Sequence, residues 1–161
     1  MGTASQCGPA WERPVERPRL LLLEPDLAVR LALLPHLHAH WRVDTPETAR
    51  DAMRHLRAHP PVLAAVGVCG RLDGLRRGAG MNAPREAVTL AVQLRTDLRP
   101  VEAVVLYGHA PGARAPDWPA GVAPPEAWVP DGRDPEVLHA ALLRVATVLR
   151  RKGTRPGGGA V

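Results

Sequence analysis

The sequence predicts an α/β domain in which helices cover both faces of a five-stranded parallel sheet. The chain has 161 residues, which is enough for one domain with some trailing sequence. Short apolar runs alternate with helical patterns five times, the arrangement of a doubly wound sheet. Two of the runs, 20–23 and 62–68, contain no polar residue, as is typical of strands that are buried on both faces.

The first strand and helix are predicted directly after a Gly- and Pro-containing segment, 1–18, that reads as a flexible leader. The domain is expected to start at Arg19, with the first strand at Leu20–Leu23. Asp26 is placed to cap the following helix, and Pro35 is expected to kink it. The apolar positions that predict this helix are Leu27, Leu31, Leu34 and Leu37.

The next elements are a short strand at 41–43 and a helix that we expect to start at Thr45, before Pro46. The second helix should end at Pro60 and Pro61, and the third strand should occupy 62–68. A Gly-rich stretch follows and extends to residue 80. The apolar stripe of the second helix consists of Ala49, Ala52, Met53 and Leu56.

The second half of the chain contains the remaining strands and helices of the predicted alternating pattern. Pro84 is expected to open the third helix, and strands are predicted at 101–107 and 127–129. Five prolines between residues 108 and 125 make a regular helix there improbable, so a Pro-rich loop replaces the fourth helix of the alternating pattern. The last helix begins at Asp134 as its cap and ends in basic residues. The domain is thus expected to span 19–151, with a flexible tail at 152–161.

Charge and composition exclude several functional classes. The calculated pI is about 10.5, but four of the 21 basic residues lie at 150–155 and all 16 acidic residues precede them. The body is therefore nearly neutral, and neither a nucleic-acid-binding face nor a membrane partner is expected. Cys7 and Cys69 form no CxxC pair, and the N-terminal residues have no signal-peptide core. These features predict a cytoplasmic protein in a reducing environment.

Four segments together resemble the receiver domain of bacterial response regulators, a family with a flavodoxin-like fold. The resemblance covers about residues 19–151 and implies a module of a two-component signal transduction system. The segments are LLLLEPD at 20–26, PPVLAAV at 60–66, LDGL at 72–75 and WVPDGRDPEVL at 128–138.

The resemblance also shows where receiver chemistry is missing. In receivers, an Asp of the domain itself accepts a phosphoryl group and an acidic pair holds Mg²⁺. A hydroxyl side chain and a Lys contact the phosphoryl group. The phosphoacceptor position falls on Val66, and a shift of one residue to Gly67 does not restore it. The acidic pair falls on Glu24 and Pro25. The hydroxyl falls on Tyr107 or the following glycine, and the Lys on Asp131. This implies a degenerate, non-phosphorylatable pseudo-receiver.

The leading functional prediction is a signalling adaptor without enzymatic activity. It binds another signalling protein, or a second copy of itself, through the face of the fifth strand and last helix. Trp118, Trp128 and Leu138 are the candidate interaction residues. Two alternatives remain open: Trp118 covers the sheet in place of the missing helix, and Trp128 fills the edge of a core without Phe.

A second functional reading is a sensor of a small ligand or nucleotide at the carboxyl edge of the sheet. Its candidate anion-binding residues are Arg71, Arg76 and Arg77 in the Gly-rich stretch, which lacks the P-loop and dinucleotide-binding motifs. Two pairs of histidines, His36 with His40 and His55 with His59, have the i, i+4 spacing of metal ligands. No further ligand stands at companion spacing, so neither a metal nor a cofactor is predicted.

Overall fold

The computed structural model describes residues 17–58, 63–68, 83–96 and 101–153. Its five strands are β1 (Arg19–Leu23), β2 (Arg42–Asp44), β3 (Leu63–Gly67), β4 (Ala103–Tyr107) and β5 (Ala127–Val129). Its four helices are α1 (Leu27–His38), α2 (Ala49–Ala58), α3 (Ala83–Thr96) and α4 (Pro135–Gly153). The predictions for the leader, the Gly-rich stretch with its three arginines, Cys7, Cys69, His59 and the tail after Gly153 lie outside the described residues.

The strands form one parallel sheet in the order β2-β1-β3-β4-β5. This confirms the predicted five-stranded, doubly wound fold. In the central register, Leu23 lies beside Val66, and Gly67 lies beside Tyr107. Because the strands are parallel, the residues that follow β1, β3 and β4 meet at one edge of the sheet, the carboxyl edge.

Alternating residues of the central strands point into two separate apolar layers. The first layer joins one face of the sheet to α1 and α4, and includes Leu22, Ala65 and Val105. The second joins the opposite face to α2 and α3, and includes Leu21 and Val104. Both faces of β1, β3 and β4 are therefore covered, which explains why these strands carry almost no polar residues.

The buried face of α1 differs from the one predicted. Asp26 caps the helix as expected, accepting hydrogen bonds from the backbone N–H groups of Ala28 and Val29. However, Leu27 and Leu31 are 57% and 60% exposed, whereas Leu33 and Leu37 are fully buried. Leucines occur on several sides of this helix, so periodicity alone did not identify the side that packs on the sheet.

The start of α2 was also predicted wrongly. The helix begins at Ala49 rather than near Thr45. Thr48 Oγ1 accepts a hydrogen bond from the N–H of Asp51 at 3.1 Å and donates one to the Asp51 carboxylate at 2.9 Å. This reciprocal cap fixes the start of the helix one turn later, while Pro46 is buried before it.

The connection between β4 and β5 contains no helix at 108–126, as the prolines predict. Arg95 of α3 anchors its end, since its guanidinium donates to the carbonyl of Pro124 at 2.8 Å and pairs with Glu126. The Glu126 carboxylate also accepts the N–H of Val104 at 2.7 Å. Side-chain contacts thus hold a loop that has little backbone hydrogen bonding of its own.

Among the helices described here, none combines the length and apolar character needed to cross a membrane.

Candidate functional site

A buried carboxylate occupies the carboxyl edge of the sheet. Glu24 directly follows β1, and its side chain has no solvent exposure. Its Oε2 accepts hydrogen bonds from the Tyr107 hydroxyl at 2.7 Å and from His109 Nε2 at 2.9 Å. Its Oε1 accepts the backbone N–H of Asp26 at 2.8 Å. Three donors therefore compensate for the loss of water around this charge. We call Glu24, Tyr107 and His109 the Glu24 cluster.

The sheet register brings the cluster together. Tyr107 ends β4 and lies beside Gly67, which ends β3. A Cβ atom on Gly67 would lie 2.8 Å from Glu24 Oε2 and 3.3 Å from the Tyr107 ring. Because real Cβ atoms essentially never lie this close to another atom, a side chain on Gly67 would displace the Glu24 carboxylate from its place beside Tyr107.

A second glycine packs on the same tyrosine. A Cβ on Gly132 would lie 2.6 Å from both Cβ and Cγ of Tyr107. The Gly132 N–H also donates to the carbonyl of Gly108 at 2.9 Å. The backbone after β5 is therefore fixed against the phenol ring, and Gly67 and Gly132 both leave room for it.

Asp131 lies next to the cluster through a backbone bridge. It pairs with His109 in an isolated antiparallel bridge, and its carboxylate accepts a hydrogen bond from Arg133 at 3.1 Å. The hydrogen bond from Arg133, followed by the charges of Arg133 and His109, lowers the pKa of Asp131 despite an opposing effect of burial. The side chain is about one quarter exposed.

Of the five residues at the positions of receiver chemistry, not all lie together at the carboxyl edge of the sheet. Glu24 and Tyr107 touch, and Asp131 is linked to them by His109. Pro25 is half-buried beside Glu24. Val66, in contrast, packs in the second apolar layer among Leu21, Leu23 and Leu106. Gly67 rather than Val66 is the β3 residue next to the Glu24 carboxylate.

Sequence reasoning missed His109 and the role of the two glycines. His109 comes two residues after the end of β4, so it belongs to the same edge of the sheet as Glu24. A polar residue that directly follows a buried parallel strand is the signal that could have identified it. The glycines gave no such signal, because close contact with a residue of another strand depends on the register.

The candidate interaction residues have different surroundings. Leu138 is fully buried in the first layer, so the expectation that it contacts a partner is corrected: it faces the sheet at the start of α4. Trp118 and Trp128 are half-buried and pack against the second layer. The Trp118 indole N–H donates to the carbonyl of Val122 at 3.1 Å. Each tryptophan therefore contributes to covering the sheet while the residue remains partly accessible to solvent.

The arginines of the ligand-sensor reading, Arg71, Arg76 and Arg77, lie outside the described residues, as does His59. His36 and His40 do approach each other, with ring centroids 6.0 Å apart. Within the described part of the chain, no group of three His, Cys, Asp or Glu side chains is arranged to hold a metal ion.

Solved structures match this architecture at low sequence identity. The signal receiver domain of an HD domain-containing protein from Pseudomonas fluorescens Pf-5 superposes with a TM-score of 0.65 at 14% identity, covering 84% of this chain and 98% of that one. A CheY-like receiver domain protein from Methanospirillum hungatei JF-1 gives a TM-score of 0.61, with the same identity and coverage. One from Methylobacillus flagellatus gives 0.59 at 12% identity, covering 80% of this chain and 98% of its own.

The chain has the receiver fold. No family model and no curated protein matches the sequence. At such low identities the structural likeness shows the fold alone, so the chemistry has to be inferred from the side chains of this chain. Within the receiver fold, the edge formed by the ends of β1, β3 and β4 carries the Glu24 cluster.

Proposed function

We propose that this chain is a pseudo-receiver that acts in signal transduction by binding another protein, without aspartyl phosphorylation. The observation that carries the proposal is the buried Glu24 carboxylate, which accepts hydrogen bonds from three groups of the protein. Its oxygens are occupied by the Tyr107 hydroxyl, His109 Nε2 and the Asp26 N–H. A carboxylate in this state has its negative charge compensated by protein donors, whereas a receiver's acidic pair is compensated by Mg²⁺.

The side chains of β3 support the same proposal. A phosphoacceptor needs a carboxylate at the end of this strand, next to the acidic residue after β1. Here Gly67 occupies that place, and Val66 lies within the apolar layer on the opposite face. A carboxylate on Gly67 would have to share the space of the Glu24 oxygen, and the two like charges would repel each other.

The binding surface in this proposal is a groove between β5 and α4. It has a volume of about 420 Å³, and β5 forms one edge of the described sheet. Val148 projects from α4 at this groove and is 49% exposed. The lining combines apolar residues with two acidic residues from the sheet side and two basic residues of α4; it includes Ala127, Val145, Val148, Leu149, Glu102, Glu126, Arg144 and Lys152. A partner segment that carries apolar side chains together with charges of both signs fits this lining.

The phosphorylation part of the proposal is tested by incubating the protein with acetyl phosphate and Mg²⁺, and separately with beryllofluoride and Mg²⁺. We expect no change in intact mass and no change in the NMR spectrum. A receiver with an intact phosphorylation site serves as the positive control. A hydroxylamine-labile gain of one phosphoryl group would refute the pseudo-receiver assignment.

The binding part is tested with two matched substitutions, Val148→Glu at the groove and Leu31→Glu on α1. Both residues are exposed aliphatic side chains on helices, and only Val148 lines the groove. A partner captured by the wild type should lose at least about tenfold in affinity for Val148→Glu and bind Leu31→Glu normally. Equal binding to the two variants would contradict the groove assignment. Sedimentation of the same variants distinguishes a different partner from a second copy of this chain.

A further inference from the structure

A cluster of aromatic and titratable rings joins α4 to the last turn of α1 and to the residues that follow it. His139 of α4 stacks on His40 with a centroid distance of 4.2 Å and meets His36 edge-on at 5.4 Å. The Trp41 indole N–H donates to His139 Nδ1 at 3.2 Å. Trp41 is 1% exposed and belongs to the first apolar layer. We call His36, His40, Trp41 and His139 the His139 cluster.

The hydrogen bond from Trp41 fixes the proton of His139. An indole N–H can only donate, so His139 Nδ1 must accept, and the neutral ring carries its proton on Nε2. Protonation of the ring would place an N–H on Nδ1, directly opposite the N–H of a buried indole. The hydrogen bond would then be lost, and a buried donor would have no partner within this contact.

The groups around His139 oppose a positive charge as well. Protonation places that charge on a ring whose centroid lies 4.2–5.4 Å from those of two further imidazoles. Burial, and then the charges of His40 and His36, lower the pKa of His139. Arg42 of β2, the charged residue next to Trp41, is exposed, so solvent screens its charge. The acidic residue one turn earlier on α4, Glu136, is exposed, so solvent and salt screen its charge.

We propose that the His139 cluster is a pH-sensitive contact that holds α4 against the end of α1 at neutral pH and loosens when His139 becomes protonated. The contact joins residues that are 98 positions apart, and α1 and α4 form the outer layer over the same face of the sheet. Loosening it frees Trp41 from its hydrogen bond and weakens the packing of α4 near its first turns.

The sign of the effect follows from the folded and unfolded states. The unfolded chain binds the proton at an ordinary histidine pKa, near 6.5, and the folded chain binds it only at lower pH. The unfolded state therefore holds more protons as the pH falls below that value. Stability contributed by neutral His139 is complete above about pH 7.5 and is lost progressively on acidification through the histidine range.

The test compares the melting temperature of the wild type and His139→Asn between about pH 7.5 and pH 5.5. Asn carries an amide oxygen near the position of Nδ1, so it can accept the Trp41 N–H and cannot be protonated. We expect the fall in melting temperature on acidification to be smaller in His139→Asn by about 3 °C. His38→Asn is the matched control, because His38 is an exposed histidine at the end of α1, two residues from His36 and His40, and makes no ring contact with His139 in the structure. It should fall as steeply as the wild type.

An equal fall in the wild type and in His139→Asn would overturn the proposal. Should that variant fail to fold, the wild type itself gives the answer by NMR. The indole N–H resonance of Trp41, assigned with Trp41→Phe, should shift together with the titration of the His139 ring. An indole resonance that remains constant while His139 titrates would equally overturn the proposal.

Discussion

His109 and His139 each belong to a polar cluster of this protein, and their neighbours differ in charge. His109 lies 2.9 Å from the carboxylate of Glu24, at the carboxyl edge of the sheet. His139 lies among two other histidines and an indole donor, between α1 and α4. A proton added to His109 creates an ion pair, whereas a proton added to His139 adds like charge and removes a hydrogen bond. The neighbours, rather than the residue type, decide what protonation does.

The comparison also separates two ways of stabilising a buried polar group. The Glu24 carboxylate is satisfied by three donors, which makes its cluster a fixed part of the core. The His139 ring is only partly buried, and its two imidazole neighbours lie on its stacking and edge faces. The first cluster should therefore respond most to changes in shape and hydrogen bonding, and the second to changes in pH.

The largest expected effect comes from Gly132→Ala, because the added methyl group collides with Tyr107 and so disrupts the Glu24 cluster. The added methyl group would overlap the Tyr107 side chain, 2.6 Å from its Cβ and Cγ, and force the ring away from Glu24. We expect a loss of about 2–3 kcal/mol in the free energy of unfolding, measured by chemical denaturation. Gly112→Ala is the matched control, since nothing lies within 4 Å of its added Cβ, and it should change stability by less than about 0.5 kcal/mol. Equal losses in the two variants would contradict the packing described for Tyr107.

Tyr107→Phe should have the next largest effect, because it removes one donor from a buried carboxylate and leaves the packing intact. We expect a loss of about 1–2 kcal/mol in the free energy of unfolding. The specific part of this loss is obtained from a double-mutant cycle with Glu24→Gln. A coupling energy near zero would show that the hydroxyl does not stabilise the Glu24 charge.

His40→Asn tests whether the two stacked rings of the His139 cluster influence each other. The substitution removes the imidazole that stacks on His139 and whose charge lowers the pKa of His139. That pKa should therefore rise towards the ordinary histidine value. A smaller difference between the folded and unfolded pKa means that less stability is lost on acidification. Histidine ring resonances measured by NMR across the titration report the change, with His38→Asn as the unaffected reference. An unchanged His139 titration in His40→Asn would show that the two rings are not coupled.

The smallest expected effect is that of Arg133→Ala on Asp131, beside the Glu24 cluster. Loss of the Arg133 hydrogen bond and charge should raise the pKa of Asp131 towards its ordinary value. A lowered folded pKa contributes stability that is present above about pH 4 and is lost as the pH falls through the folded pKa. The wild type should thus be slightly more stable than the variant at neutral pH, and the two should converge in acid. Carboxyl ¹³C titration of Asp131 checks the shift, and an unchanged titration would contradict the assigned cause.

Much of the fold follows from local properties of the sequence. The apolar runs at β1, β3 and β4 specify strands covered on both faces, and the prolines between residues 108 and 126 exclude a helix there. The caps Asp26 and Asp134 mark the starts of α1 and α4, because a side-chain oxygen accepts N–H groups only two or three residues away. The resemblance to receivers also singled out Glu24 and Tyr107, which lie at the ends of β1 and β4.

The remaining features were decided by the tertiary structure. The buried side of α1 depends on where the helix docks, so Leu27 and Leu31 gave the wrong side. The contact of Gly132 with Tyr107 depends on distances of a few tenths of an ångström. His139 meets Trp41 and His40 only because α1 and α4 pack on the same face of the sheet. Short-range rules determine strands, caps and turns, whereas contacts between residues about 100 positions apart exist only once the sheet has fixed where each helix lies.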